Sequence, residues 1–354
     1  MRQDPFERAK VHGIVLACPR DLDELSHAAP RPLLPVAQRP LITYVLDWMY
    51  RGGLDRLTVC SDTESRAVRE CVDRAEQALR ITHLQDGSPR GPAGCLRDAA
   101  ARTDAQTLVA AEATAFPVVE LEAVLAAHRA ASAAVTVVVG RDATGRLSPA
   151  GAYVLDRSVC AFVPEHGFYD IKEQLLPRLY AAGQDVRTYT AEALAPKLLN
   201  VDSYLALNEW VIARFLDDAA PPEGFEARQG AYVHRTASVD GEARLLGPVL
   251  VGPGASVGRG ATVVGPASIG AGSAIGADAV VSRSVIAEGS LVGERAFVDR
   301  SVVAARAEVA AGSVVFSAVH VDRPADGRST WLHQWRVSWA SIRGAHRIPE
   351  TQSP

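Results

Sequence analysis

Between Gly13 and Gly52 the chain has no glycine. The apolar run "GIVLA" (13–17) has the look of a buried strand about to hand a phosphate to a helix, yet "CPRDLDELSHAAPRPLLPV" follows it. Backbone N–H groups that cradle a phosphate need residues without side chains to let it approach. A glycine-rich phosphate loop is therefore excluded at this strand end. The five cysteines (Cys18, Cys60, Cys71, Cys95, Cys160) show no CxxC spacing. That excludes a zinc ribbon or a disulfide framework and fits a reducing cytoplasm. There is no basic surplus: 37 Lys and Arg stand against 41 Asp and Glu, a net charge of -4. No global field recommends nucleic acid or an anionic membrane. No run approaches the about 18 apolar residues of a membrane span, and no apolar stretch of a secretory leader follows "MRQDPFERAK".

What is there is ample for a core: 48% hydrophobic and 22% charged residues in 354, enough for two domains. The two halves have different periods. Up to about residue 217, strand-like runs alternate with helical ones. The strands are "GIVLA" (13–17), "LDRLTVCSD" (54–62), "QTLVAAEA" (106–113) and "AAVTVVVG" (133–140). The helices are "PLITYVLDWMYRGG" (40–53), "ESRAVRECVDRAEQAL" (64–79) and "PVVELEAVLAAHRAA" (117–131). This alternation predicts an α/β domain, Rossmann-like, with a mostly parallel sheet, and ligands at the C-terminal ends of its strands. Residues 218–230 read as a linker, with charges, a Pro-Pro pair and two glycines.

A six-residue repeat then takes over. Aliphatic residues stand at Val233, Val239, Leu245, Val251, Val257, Val263, Ile269, Ile275 and Val281. One residue is dropped, and the series resumes at Ile286, Val292 and Val298; after a second drop it continues at Val303, Val309 and Val315. Neither a helix nor an ordinary strand has this period. It predicts a β-helix over 231–317 in which each short strand turns one aliphatic residue inward. The expected organisation is an α/β domain (1–217), a linker (218–230), the β-helix (231–317) and a tail (318–354).

The α/β domain followed by hexads, together with "GIVLA…PRPLLPVAQRPLITYVLDWMYRGGLDRLTV", resembles the sugar-1-phosphate nucleotidylyltransferases, above all the mannose-1-phosphate guanylyltransferases. "RGPAGCLRDAA" (90–100) is similar to the family's Gly-x-Ala-Gly segment near the nucleotide base; "AGAYVLD" (150–156), "YDIKEQLLPRL" (169–179) and "DSYLALNEWV" (202–211) resemble later landmarks. The resemblance implies a nucleotidyltransferase fold, a left-handed β-helix, and a site for a nucleotide or nucleotide sugar. It brings forward Arg20, Arg31, Gly91, Ala93 and Gly94 as nucleotide-binding candidates and Glu112 as a residual acidic group.

The chain departs from that pattern wherever phosphate or metal would be held. The family loop Ala-Gly-Gly-x-Gly-Thr-Arg is replaced by Ala17-Cys18-Pro19-Arg20-Asp21-Leu22-Asp23, in which Pro19 removes a donor and the aspartates add negative charge. The lysine of Pro-Lys-Pro is Arg31, which reads either as a phosphate contact or as a surface arginine between turn prolines. Glu112 is offset from the first metal carboxylate. Lys197 stands where the second would be, seven residues before Tyr204, and Asp202 reads as a helix N-cap or its neighbour. The segment with the family's Glu-Lys-Pro motif is missing after "VTVVVG". Phosphoryl chemistry of this kind depends on positioned charge and Mg²⁺. The expectation is therefore a degenerate, regulatory relative with no assigned catalytic residue, no cofactor and no metal. It would be cytoplasmic, and a homo-oligomer or a hetero-oligomer with an active relative. The alternative is a divergent active enzyme using Mg²⁺ with Arg20, Arg31 and Glu112 in new roles.

A weaker alternative places the working part in the β-helix, as scaffold or acyltransferase. His234 is the histidine within the repeat, while His320, His333 and His346 lie beyond it. The tail carries Trp331, Trp335 and Trp339, spaced by four, which suits one face of a helix and equally one face of a strand. It reads as docking on its own chain or on a partner.

Overall fold

A computed structural model describes residues 11–17, 24–62, 66–75, 79–86, 90–142, 145–217, 223–228 and 230–322. The chain divides into two compact units, one of residues 1–20 and 41–195, the other of residues 21–40 and 196–354. Arg20 and the tail tryptophans lie outside the described residues. No helix among the described residues is long and apolar enough to cross a membrane.

The first unit holds a seven-stranded sheet. Its strands are β1 (Val11–Ala17), β2 (Arg56–Asp62), β3 (Arg80–Asp86), β4 (Thr107–Glu112), β5 (Val135–Arg141), β6 (Leu147–Asp156) and β7 (Val186–Thr190), in the order β3-β2-β1-β4-β6-β5-β7. Strands β1 to β4 run parallel, and β6 enters antiparallel between β4 and β5. Every residue of β1 is buried, which is why its sequence is continuously apolar rather than alternating. The helices are α1 (Leu41–Arg51), α2 (Arg66–Ala75), α3 (Gly91–Ala100) and α4 (Leu121–Ala131). Helix α1 buries Leu41, Tyr44, Val45 and Trp48, and the indole Nε1 of Trp48 donates to Val119 O at 2.6 Å. Gly53, at φ 83°, ends it in a turn that side-chain-bearing residues resist. Helix α4 begins at Leu121 rather than at Pro117, because Glu120 is still extended (φ -73°, ψ 124°).

The second unit is a parallel β-helix, as the hexads predict, with the left-handed form that the resemblance implies. Its strands stack into three parallel sheets, with Val233, Val251, Ile269, Ile286 and Val303 in register in one, Val257, Ile275, Val292 and Val309 in the second, and Val263, Val281, Val298 and Val315 in the third. These inward residues are buried, while Val239 and Leu245 in the first coil are half-buried, since no coil stacks beneath them. A second inward ladder sits two residues earlier and is small except at Val249: Ala255, Ala261, Ala267, Ser273, Ala279, Ser284, Ser290, Ala296, Ser301 and Ala307. Its buried hydroxyls are satisfied by carbonyls of the coils, as when Ser290 Oγ donates to Ala287 O and Ala304 O. Phe225–Arg228, inside the stretch expected as linker, pairs antiparallel with Ala231–His234 and buries Phe225.

The same unit takes in residues that precede α1. A short helix (Glu24–Ala28), a 3₁₀ turn (Arg31–Leu33) and a tight hairpin (Pro35–Val36 with Arg39–Pro40) belong to it. Ala37 and Gln38 at the hairpin tip both have positive φ, 44° and 68°. Helix α5 (Val201–Asp217) anchors the hairpin: Tyr204 OH donates to Pro35 O at 2.5 Å and Asn208 Oδ1 accepts from Ala37 N at 2.9 Å. Gln38 Nε2 reaches the β-helix, donating to Ile269 O at 2.9 Å and Leu250 O at 3.3 Å.

Candidate functional site

In an open α/β sheet, ligands bind beyond the strand ends where the chain order reverses. Here that place lies between β1 and β4, which are adjacent, with Leu16 opposite Glu112. Glu112 closes β4 and is partly buried. Its Oε1 is 2.7 Å from Lys172 Nζ and accepts a hydrogen bond from Tyr153 OH at 3.2 Å. Tyr153 comes from the antiparallel neighbour β6, with its ring fully buried. Burial, then the negative charge and hydrogen bond of Glu112 and the charge of Asp170, push its hydroxyl well above the usual tyrosine range. It stays a protonated donor at any physiological pH.

Lys172 stands in one turn of π-helix, Ile171–Leu175. Asp170 caps that turn, its Oδ1 accepting from Lys172 N at 2.6 Å and Glu173 N at 2.9 Å. Single π turns are frequent at functional sites; this one carries Lys172.

The glycine-containing candidates form the first turn of α3. Gly91 has φ 72°, and a Cβ there would lie 2.7 Å from Tyr169 O and 3.0 Å from the Phe168 ring. Ala93 N donates to Tyr169 O at 3.0 Å, and Tyr169 N donates to Arg90 O at 2.8 Å. Gly94 lets the Arg90 side chain lie across it, where a Cβ would meet Arg90 Cβ at 2.7 Å. Arg90 in turn bonds both oxygens of Asp98 at 3.2 Å. Arg97 pairs with Glu165 at 2.8 Å, and that hydrogen bond and charge hold the Glu165 carboxyl below its ordinary value. The segment 168–172 thus touches both groups: its backbone at Tyr169 meets α3, and its side chain at Lys172 meets Glu112.

Arg31 is not a surface arginine. It is buried, and its two terminal nitrogens donate to Leu198 O at 3.1 Å and Leu199 O at 3.0 Å, within the second unit. Lys197 is exposed. Asp202 lies in the first turn of α5 and is not its cap; Asn200 Oδ1 accepts from Ser203 N, and Ser203 Oγ accepts from Leu199 N and Asn200 N, each at 2.9 Å. His234 Nδ1 accepts from Thr236 N at 3.2 Å, its ring stands edge-on to Phe225, and burial, then Arg235, lowers its pKa.

Mg²⁺ demands an octahedral set of oxygens, with carboxylates among them. Glu112 offers one carboxylate whose Oε1 already carries an ammonium and a phenol. Among the described residues no three His, Cys, Asp or Glu side chains converge. These side chains do not fit the metal. At these strand ends Lys172 is the partly exposed cation, with Tyr153 buried behind Glu112 and donating to it. Tyr153 and Lys172 lie in stretches that resemble family landmarks, "AGAYVLD" and "YDIKEQLLPRL", but nothing local in either points at Glu112.

Residues 229–322 match the family described as the GMPPB C-terminal domain. The chain is 24% identical over 265 residues to the mannose-1-phosphate guanylyltransferase of Mycobacterium tuberculosis, covering 67% of this chain and 73% of that protein. Among solved structures it is similar to HddC from Yersinia pseudotuberculosis, at 12% identity and a TM-score of 0.47, over 56% of this chain and 99% of that one.

Proposed function

We propose that this chain, a sugar-1-phosphate nucleotidylyltransferase-like protein with a C-terminal hexapeptide β-helix, binds a nucleotide sugar without making one. In this reading it is a regulatory subunit of nucleotide-sugar or polysaccharide metabolism, working beside an active relative. The observation that carries the proposal is the ion pair of Glu112 with Lys172 at 2.7 Å. Nucleotidyl transfer between a nucleoside triphosphate and a sugar-1-phosphate needs divalent charge to offset two approaching phosphates. A lone carboxylate whose Oε1 already takes an ammonium and a phenol of its own fold offers a metal less than the paired carboxylates such chemistry uses. Arg31, spent on two carbonyls of its own unit, is no substitute for a mobile phosphate-binding cation. What remains is suited to recognition: a partly exposed ammonium and a polar rim at the strand ends.

The test is ligand binding by the full chain, with GDP-mannose first because of the curated relative, and other nucleotide sugars beside it. Saturating ligand should raise the melting temperature by about 5 °C at about a hundredfold excess over Kd, equally with Mg²⁺ and with EDTA. No stabilisation by any nucleotide or nucleotide sugar would overturn the binding role.

A further inference from the structure

The three faces of the β-helix differ. The outward residues of the sheet that starts at Ala231, including Tyr232, Leu250, Val285 and Val302, are buried. The outward column of the second sheet is Ser256, Ala274, Leu291 and Glu308, mostly small or charged, with Leu291 its one large apolar side chain. The third sheet is different. Its outward columns run Arg244, Thr262, Val280, Phe297, Val314 and Leu246, Val264, Ser282, Asp299, Phe316. The first column becomes apolar toward the last two coils, where Phe297 is 39% exposed and Val314 71%; the second starts at the exposed Leu246, turns polar at Ser282 and Asp299, and ends at Phe316, 53% exposed. Arg300 stacks on the Phe316 ring at 4.6 Å and Arg283 stands beside it, so arginine borders the aromatic patch.

We infer that this face is the docking surface of the chain's own tail, residues 329–342, with Trp331, Trp335 and Trp339 as its anchors. Three facts select this occupant. The patch is too small for a globular partner. Five strands at about 4.8 Å spacing and three residues of strand give a face of about 20 by 10 Å, whereas each partner in a standard interface buries about 800 Å². The patch lies on the last two coils, and the described chain leaves that same end at Asp322, whose side chain accepts from Glu308 N. Nine further residues lead to Trp331. They span up to about 30 Å, more than the six-residue side of one coil at about 20 Å, so the tail can reach any face there. The tail's composition also fits: indoles pack on apolar surface, and aromatic groups with arginine are the usual anchors of such contacts.

The test is photo-crosslinking of the full chain with p-benzoylphenylalanine in place of Val314, a position exposed enough to leave the inward ladder intact, and in a second protein in place of Phe297. The expected product keeps the mass of one chain and joins position 314 or 297 to residues 329–342. Trp331→Ala, Trp335→Ala and Trp339→Ala together should reduce its yield by at least about tenfold. Crosslinks at twice the chain mass, with tail peptides from an isotopically distinct copy, would overturn the inference in favour of a second copy. Crosslinks that avoid the tail, or none at either position, would overturn it outright.

Discussion

Lys172 Nζ lies 2.7 Å from Glu112 Oε1, across 60 residues of sequence and at the point where the sheet reverses its strand order. Both side chains are partly exposed, so solvent screens the pair and its contribution to stability is modest. A double-mutant cycle of Glu112→Gln and Lys172→Met, read by urea unfolding, should give a coupling of about 0.5–1 kcal/mol. A coupling near zero would mean that the two groups do not recognise one another. The same Lys172→Met change should weaken nucleotide-sugar binding far more than it weakens the fold.

Arg31 carries a different burden. It is buried against the carbonyls of Leu198 and Leu199, which precede α5. Arg31→Ala removes two charge-assisted hydrogen bonds and leaves their acceptors unpaired, a cost of about 2–4 kcal/mol. Arg31→Lys keeps the charge but not the fork, and should recover less than half of that. Below the melting transition both variants should bind nucleotide sugar with unchanged Kd. A Kd raised more than about tenfold with stability intact would return Arg31 to the ligand.

Two buried histidines set a pH dependence in the first unit. His12 bonds Thr58 and His128 bonds Thr136, each at about 2.8–2.9 Å. Burial, then Arg56, lowers the pKa of His12; burial, opposed by Asp156 and aided by Arg129, lowers that of His128. With folded pKa values below the ordinary 6.5, the unfolded chain takes up protons first as the pH falls. Stability should therefore be fully present above pH 6.5 and decline below it. The urea midpoint at pH 5 should lie below that at pH 7.5, and His12→Gln with His128→Gln should flatten the difference. An unchanged slope would contradict this.

The corners of the β-helix recur in a left-handed backbone conformation. Gly260, Asp278, Arg295 and Gly312 stack at one edge, with φ from 56° to 68°. Non-glycine residues resist that conformation by about 1–2 kcal/mol, partly offset by the greater freedom glycine has when unfolded. Arg295→Gly should stabilise the chain by about 0.5 kcal/mol in urea unfolding. Asp299→Asn should do the opposite. Asp299 is buried, which opposes its ionisation, but hydrogen bonds from Ser282, Arg283 and Arg300 outweigh that and hold its pKa below the ordinary value.

The β-helix was legible because each hexad repeats one inward aliphatic residue and, except at Val249, one small residue two places earlier. Both dropped residues reappear as coils of 17 instead of 18 residues, and Arg283 and Arg300 sit at positive φ in the shortened corners. The parallel sheet was legible from its apolar runs. What could not be read was side-chain pairing over distance. Nothing local in "YDIKEQLLPRL" points at Glu112, and nothing in "PRPLLPVAQRP" says that its hairpin folds with Tyr204 and Asn208. That fragment resembled the flank of a phosphate loop, yet its conformation is fixed by α5 and the β-helix, which accounts for an intact apolar pattern beside an altered loop.

The central claim is that the fold binds without catalysing, and pyrophosphate release tests it most directly. The full chain, with Mg²⁺, each nucleoside triphosphate and a panel of sugar-1-phosphates, should release pyrophosphate at the rate of the protein-free control, while Glu112→Gln and Lys172→Met leave that background unchanged. Turnover above background that Lys172→Met abolishes would contradict the account and make the Glu112–Lys172 pair part of a working active site.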